Sequence, residues 1–384
     1  MSPRLRRSHH PRSLLVLLTL LCAACSESGG GGRCDGTYEL PNTFDPTLAG
    51  ALQAMVTDRL PSSSAPGATL TVHIPGEGTF AGAAGFRDVL GELPMEPRTR
   101  LRVGSVTKTF TTAVFFQLVA EGAVSLDDHP AEVLAALGLS LDPTVTFAQV
   151  LGHRAGLFNY TDDVGFLGLS RDPWTPVEIV SWSLDHGAVG DPGAQYLYSN
   201  TGFFVLGLAI EELSGRPFHR EVRRRLLDPL ALDDMSEEQH EGRDCAMSEG
   251  YVVTGAASTD DIDMSWTWAA GGLVGSGVDL CRWLDALYLG DVLGADARAQ
   301  LVVASAESIS AGDAYGYGTQ LRTRGGRPVV GHTGSTMGFR GEVFIDLESG
   351  VCVAVLLNDF VSTPTAISEP AWVAAFDYLG LSAP

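Results

Sequence analysis

Apolar residues recur with two different periods along this chain. From Asn42 to Leu60 they fall at Leu48, Leu52, Met55 and Val56, a helical spacing with one apolar side. "ATLTVHIPG" and "TFAGAAGFRD" then read as two short strands joined by a Gly/Pro turn. In "LRVGSVTKTFTTAVFFQLVAEG" (101–122) Phe110, Val114 and Leu118 repeat every four residues, with Ala113 and Phe116 beside them. That predicts an amphipathic helix closed by Gly122. Residues 125–300 read mostly as helix and loop. "TGFFVLGLAIEELSG" stops at Gly215, and "PFHREVRRRLLDPL" and "VDLCRWLDALYLG" are two more helices. Strand signals return in "YGYGTQLRTR", "RPVVGHTG", "GEVFIDLESG" and "VCVAVLLND", whose short connections predict antiparallel pairing. A helix over about 366–379 ends the chain.

Strands at both ends of a helical middle predict one antiparallel sheet built from distant segments. The expected class is α+β, a sheet flanked by helices with an inserted, mainly helical subdomain and a cleft between the two parts. Residues 45–384 form one domain in this reading. Its sheet part covers about 45–104 and 305–384, and its helical part about 105–304. No internal repeat at a fixed period interrupts it.

The N-terminus carries an address. Arg4, Arg6, Arg7 and Arg12 precede "LLVLLTLL", and "CAAC" follows. A basic stretch, a short apolar run and small residues make a secretory signal over 1–24, too short to span a bilayer. Its end resembles the lipobox of bacterial lipoproteins, with Cys25 as the lipidated residue, although Cys22 stands where an aliphatic residue is usual. The alternative is an ordinary signal cut near Ala24. The expectation is an exported protein, anchored by lipid to a bacterial membrane and facing the periplasm or exterior. Residues 25–44, with "SESGGGGRCDG", read as a flexible tether. Losing residues 1–24 removes four arginines and no acid, taking the net charge from −21 to −25. Such acidity argues against a nucleic-acid partner. Contact with the membrane is expected through the lipid alone. Cys34, Cys245, Cys281 and Cys352 remain, with no connectivity readable. Cys352, inside an apolar run, reads equally as a buried thiol.

Lys108 is the only lysine; the other 24 basic residues are arginine. It stands three residues after Ser105, on one face of the same helix start. A lysine whose pKa is lowered by burial can take a serine proton, and arginine cannot. A chance Ser-x-x-Lys on a helix surface is the plain alternative. "YLYSNTG" sets Tyr198 and Asn200 before a long helix. Tyr198 can relay a proton if a cation lowers its pKa, or be a core aromatic; Asn200 can bind a substrate amide or cap the helix. "VVGHTGSTMGFRG" places His332, Thr333, Gly334 and Ser335 on a glycine-containing strand edge along which a ligand could lie.

Ser-x-x-Lys, Tyr-x-Asn and His-Thr-Gly, at separations of 93 and 134 residues, together resemble the penicillin-recognising serine hydrolases. The branch they resemble holds serine D-Ala-D-Ala carboxypeptidases, class C β-lactamases and related esterases and D-aminopeptidases. "RVGSVTK", "VLGHRAGLFNYT", "YSNTGFFVLG", "SWTWAAGGLVGS" and "GHTGS" extend the likeness over about 45–380. The resemblance implies a β-lactamase/transpeptidase-like fold and an acyl-enzyme on Ser105. Lys108 and Tyr198 would share the proton work, with Tyr198 serving deacylation, Asn200 would bind a substrate amide, and the N–H groups of Ser105 and Ser335 would form the oxyanion hole. His332, Thr333 and Gly334 would line the leaving-group wall, Arg322 would take a substrate carboxylate, and Trp266 would flank the cleft. His332 departs from the lysine usual in class C β-lactamases, which puts β-lactamase activity in doubt. His153, outside the three motifs, reads as a structural loop histidine. No Gly-x-Ser-x-Gly elbow or His-Glu-x-x-His motif offers another hydrolase class. The expected substrate is a peptidoglycan-type peptide or a small ester or amide, with β-lactams as acylating ligands and no metal or organic cofactor. D-Ala-D-Ala carboxypeptidase is the leading activity. An esterase, a D-aminopeptidase, a β-lactamase or a non-enzymatic penicillin sensor or scaffold are the alternatives.

Overall fold

Strand runs from opposite ends of the chain meet in one sheet. The computed structural model describes residues 38–163, 165–166, 173–252 and 262–381. The signal, Cys25 and Cys34 lie outside them. First come α1 (Pro46–Arg59), β1 (Gly67–Ile74), β2 (Gly78–Asp88), β3 (Leu93–Pro94), β4 (Leu101–Arg102) and α2 (Thr107–Ala120). The middle contains α3 (Asn200–Ser214), α4 (Gly277–Tyr288) and two short strands, β5 (Ser236–Glu237) and β6 (Leu273–Gly275). β7 (Gln320–Arg324), β8 (Arg327–Thr336), β9 (Phe339–Ile345), β10 (Cys352–Leu357) and α5 (Thr365–Tyr378) complete it.

The large sheet runs β3-β2-β1-β10-β9-β8-β7 and is antiparallel at every pair. β10 lies at its centre with both faces covered, which is why its sequence is apolar without alternation. Val353, Val355 and Leu357 point to one core with Leu52 and Val56 of α1 and Trp372 and Phe376 of α5. Cys352, Ala354 and Leu356 point to the other core, shared with α4 and the helical middle. Asp45 starts α1 by accepting the Leu48 N–H at 2.7 Å, with Pro46 at the first turn. α3 ends at Gly215, whose φ of 66° is the left-handed stop that glycine allows.

Three features differ from the expectation. Residues 38–44 are not tether: the Tyr38 hydroxyl donates to the Thr79 carbonyl, and Phe44 is only 3% exposed against α1 and the sheet. β6 pairs with β4 on one side and β5 on the other in a second, three-stranded sheet. Such two- and three-residue strands carry no periodicity to read. "PFHREVRRRLLDPL" is not one α-helix, since Arg223–Leu227 widens to π-type turns after Phe218–Val222. Cys245 is disulfide-bonded, and Cys281 and Cys352 are free and buried. Among the described residues no helix is long and apolar enough to cross a membrane.

Candidate active site

The second sheet sets the entry to the site. β4 pairs with β6, and the Val103 N–H reaches the Leu273 carbonyl at 3.0 Å, so the chain enters the turn Gly104–Val106 from a fixed direction. Ser105 stands in that turn, just before α2, one face of which packs on α3. Lys108, one turn later, is 0% exposed. Its Nζ lies 3.0 Å from Ser105 Oγ, 2.7 Å from Asn200 Oδ1 and 2.7 Å from the Ala270 carbonyl. The rings of Tyr198 and Phe203 stand 5.1 and 5.2 Å away. Burial alone pulls this amine well below the ordinary lysine value. A neutral amine keeps these contacts by giving two N–H groups to the two oxygens and turning its lone pair to the Ser105 hydroxyl proton.

Tyr198 OH donates to Ser105 Oγ at 2.9 Å. The condition named for Tyr198 as a relay, a pKa lowered by a cation, is not met. Burial pushes the Tyr198 phenol above its usual value, and Asp313 adds to this, so it stays protonated rather than being lowered by a cation. Asn200 is the first residue of α3, and Ser199 occupies the N-cap position. Asn200 Oδ1 is taken by Lys108, and its Nδ2 donates to Thr161 Oγ1 at 3.0 Å.

β8 closes against the Ser105 turn because two glycines leave room. A Cβ built on Gly104 would stand 2.7 Å from the Ser335 nitrogen, and one on Gly334 would stand 1.9 Å from the Val103 carbonyl oxygen. This approach brings the backbone of Ser335 beside Ser105. Gln320 on β7 holds the wall: its Oε1 accepts from the Thr333 N–H at 2.9 Å and from Thr333 Oγ1 at 3.0 Å. His332 lies at the back of the wall, 1% exposed. Its Nδ1 donates to the Thr333 carbonyl at 2.6 Å, and its Nε2 accepts from Tyr315 OH at 3.0 Å. Burial drives its pKa down to about 3, so it is neutral. A free cationic or donor group from His332 is therefore not offered to the cleft.

Ser105 and Ser335 border two cavities. One, of about 250 Å³, is lined by Tyr160, Trp266, Met337, Phe360 and Asn200 among others. The other, of about 400 Å³, is lined by Tyr198, Gln320, Thr333, Gly334, Arg324 and Arg340 among others. Trp266 is thus a cleft aromatic, 6% exposed. Arg322 is placed differently from the expectation. Its guanidinium is ion-paired to Asp313 and donates to the Leu321 carbonyl, and it does not line either cavity. Arg324 is also committed, to Glu342 at 2.7 Å. Arg340 has no acidic partner among the described ion pairs. Among the described residues it makes a 3.4 Å bond to the Val361 carbonyl and lies 5.5 Å over the Phe360 ring, and its buried Nε is unpartnered. Nothing in the sequence marked Arg340, because its place depends on β9 pairing Arg340 with Ser335. Gln320 was missed for the same reason. Among the described residues no cluster of three His, Cys, Asp or Glu could hold a metal.

These features agree with what the chain is similar to. A family model described as Beta-lactamase matches residues 51–377. The putative fimbrial assembly protein FimD, serogroup D, of Dichelobacter nodosus is 31% identical over 294 residues, covering 71% of this chain and 68% of that one. Penicillin-binding protein 4 of Amycolatopsis lactamdurans is 27% identical over 319 residues, covering 78% and 82%. A D-stereospecific amidohydrolase from a Streptomyces species superposes with a TM-score of 0.72 at 27% identity, over 86% of this chain and 99% of that one. The chain therefore has a β-lactamase/transpeptidase-like fold and belongs to the beta-lactamase family, as a serine hydrolase of the type that includes penicillin-binding proteins.

Proposed function

We propose that this protein hydrolyses amide bonds of peptidoglycan-type D-peptides through an acyl-enzyme on Ser105, as a D-Ala-D-Ala carboxypeptidase. The observation that carries the acyl-enzyme is the buried, acid-free Lys108 amine 3.0 Å from Ser105 Oγ. In the proposed step Lys108 takes the Ser105 proton while Oγ bonds to the substrate carbonyl carbon. The N–H groups of Ser105 and Ser335 hold the oxyanion. Tyr198, protonated and facing Oγ, hands a proton to the departing amine as the C–N bond breaks. Tyr198 is reprotonated from Lys108; water then attacks the ester carbonyl carbon, its proton passing to Lys108, and as the C–Oγ bond breaks that proton returns to Ser105 Oγ and the acid leaves. Tyr198 lines only the larger of the two cavities, so the leaving amine belongs there and the acyl part belongs among Tyr160, Trp266 and Phe360.

Arg340, on the leaving-group side, supports a leaving amine that carries a carboxylate. It replaces Arg322 in that role. Similarity to the D-stereospecific amidohydrolase favours a second reading, a D-amino-acid amidase or aminopeptidase. β-Lactams are proposed as acylating ligands in either case. The basic, apolar N-terminal stretch supports export and a lipid anchor at Cys25.

The test compares D-Ala release from an acyl-D-Ala-D-Ala peptide with cleavage of a D-amino-acid amide and of an aryl ester. D-Ala release is expected, and Arg340→Gln is expected to raise KM for the peptide about tenfold or more while sparing the ester. Amide or ester turnover without D-Ala release would remove the carboxypeptidase. For the anchor, Cys25→Ser is expected to move the protein from the membrane to the soluble fraction.

A further inference from the structure

Against Tyr198 lies His153, a residue that the hydrolysis scheme does not use. It follows the short helix Phe147–Leu151 and Gly152, at the helix end where the chain turns left-handed. Its φ is 55°, and the next N–H, of Arg154, closes back onto the Gln149 carbonyl at 2.7 Å. Glycine is the usual residue in such a turn, because a Cβ is strained there. A histidine holds this strained place and is 2% exposed. Its Nε2 is buried without a partner. The backbone penalty and the orphaned N–H both oppose it, so its other contacts must over-determine it.

Those contacts converge on one loop. His153 Nδ1 accepts the Ser199 N–H at 3.2 Å, and its carbonyl accepts the Leu197 N–H at 2.8 Å. Its ring centre is 4.1 Å from that of Tyr198, the residue between them. Tyr196, Phe203 and Tyr315 close the other sides of the ring. Because Nδ1 accepts, the single ring proton sits on Nε2 and the imidazole is neutral. Burial keeps it so.

We infer that His153 is a positioning residue for Tyr198: it clamps residues 197 and 199 and braces the phenol ring, so that the hydroxyl stays on Ser105 Oγ. The inference rests on the acyl-enzyme reading above. Its chemistry is specific. The clamp needs an acceptor at Nδ1 and tolerance of the left-handed backbone. Asparagine has both, whereas leucine has the bulk alone.

The experiment is a double-mutant cycle on the acylation rate of Ser105 by a fluorescent penicillin, and on kcat and KM for an aryl ester. Rates are taken per molecule that folds. His153→Leu is expected to slow acylation about 30- to 100-fold, as a displaced catalytic group does, with kcat falling rather than KM rising. Tyr198→Phe is expected to slow it about 100-fold, and the double variant no further than about threefold beyond Tyr198→Phe. His153→Asn is expected to stay within about tenfold of the parent. If His153→Leu does not fold, His153→Phe, which keeps a ring without the acceptor, runs the same cycle. Parent-like rates in the single variant, or losses that multiply in the double variant, overturn the inference and leave the acyl-enzyme intact. A parent protein that neither substrate acylates overturns both.

Discussion

Replacing Lys108 by methionine separates the charge state of the amine from its role in catalysis. Methionine matches the length of the stem and carries no proton. The native amine sits far below the 10.5 of an exposed lysine, because nothing acidic compensates its burial. The sign follows from linkage. As pH falls through 10.5 the unfolded chain binds a proton that the native state refuses, so native stability drops. The slope is about 1.4 kcal/mol per pH unit for this one group, and it ends where the native amine itself is protonated. The variant lacks this slope. The substitution also leaves Asn200 Oδ1 and the Ala270 carbonyl without their donor, a penalty of about 1–3 kcal/mol each that does not change with pH. Urea unfolding of parent and variant at pH 8, 9 and 10 gives the difference directly. The stability of Lys108→Met relative to the parent should grow by about 1.4 kcal/mol for each unit that pH is lowered. Acylation of Ser105 should fall about 10²- to 10⁴-fold. A stability difference that stays flat from pH 10 to pH 8 would show that Lys108 keeps its proton, and the neutral-base argument would be wrong.

The other expectations are independent of that one. Gly334→Ala puts a methyl 1.9 Å from the Val103 carbonyl oxygen; β8 must move off the Ser105 turn, and acylation should drop about 100-fold in a protein that still folds. Asp279, buried at the start of α4, has its pKa raised by burial and by Asp234 to about 6. A raised carboxylate costs its full amount of stability at every pH above 6 and recovers it only as pH falls from 6 to the unfolded value of 3.8, so Asp279→Asn should stabilise the protein at pH 8 by up to about 3 kcal/mol and by about half as much at pH 5. Chemical unfolding at the two pH values checks it. Cys281 and Cys352 are both buried, and burial and the neighbouring Cys281 push the Cys352 thiol up. Intact mass should show no alkylation of either in the native protein and reaction of both in denaturant.

Short-range geometry is legible in the chain alone. Ser105 and Lys108 are three residues apart on one helix start, and the 3.6-residue period puts them within reach. The apolar runs at both ends, with their short turns, likewise dictate one antiparallel sheet around a helical middle. Whatever depends on a distant partner had to wait for the fold. Lys108 becomes a base only because Asn200 and Ala270, 92 and 162 residues away, close over it. His332 reads as part of a strand edge lining the leaving-group wall; it borders the larger cavity, but Tyr315 and the Thr333 carbonyl take both its ring nitrogens. Arg322 and Arg340 are the sharpest case. Both are arginines on strands near the same motif, and composition cannot rank them. Asp313, from a loop with no readable period, ties up one, and the register of β9 on β8 delivers the other to the cleft. Local periodicity is a property of the chain, whereas which charge is left free depends on which charges the fold brings together.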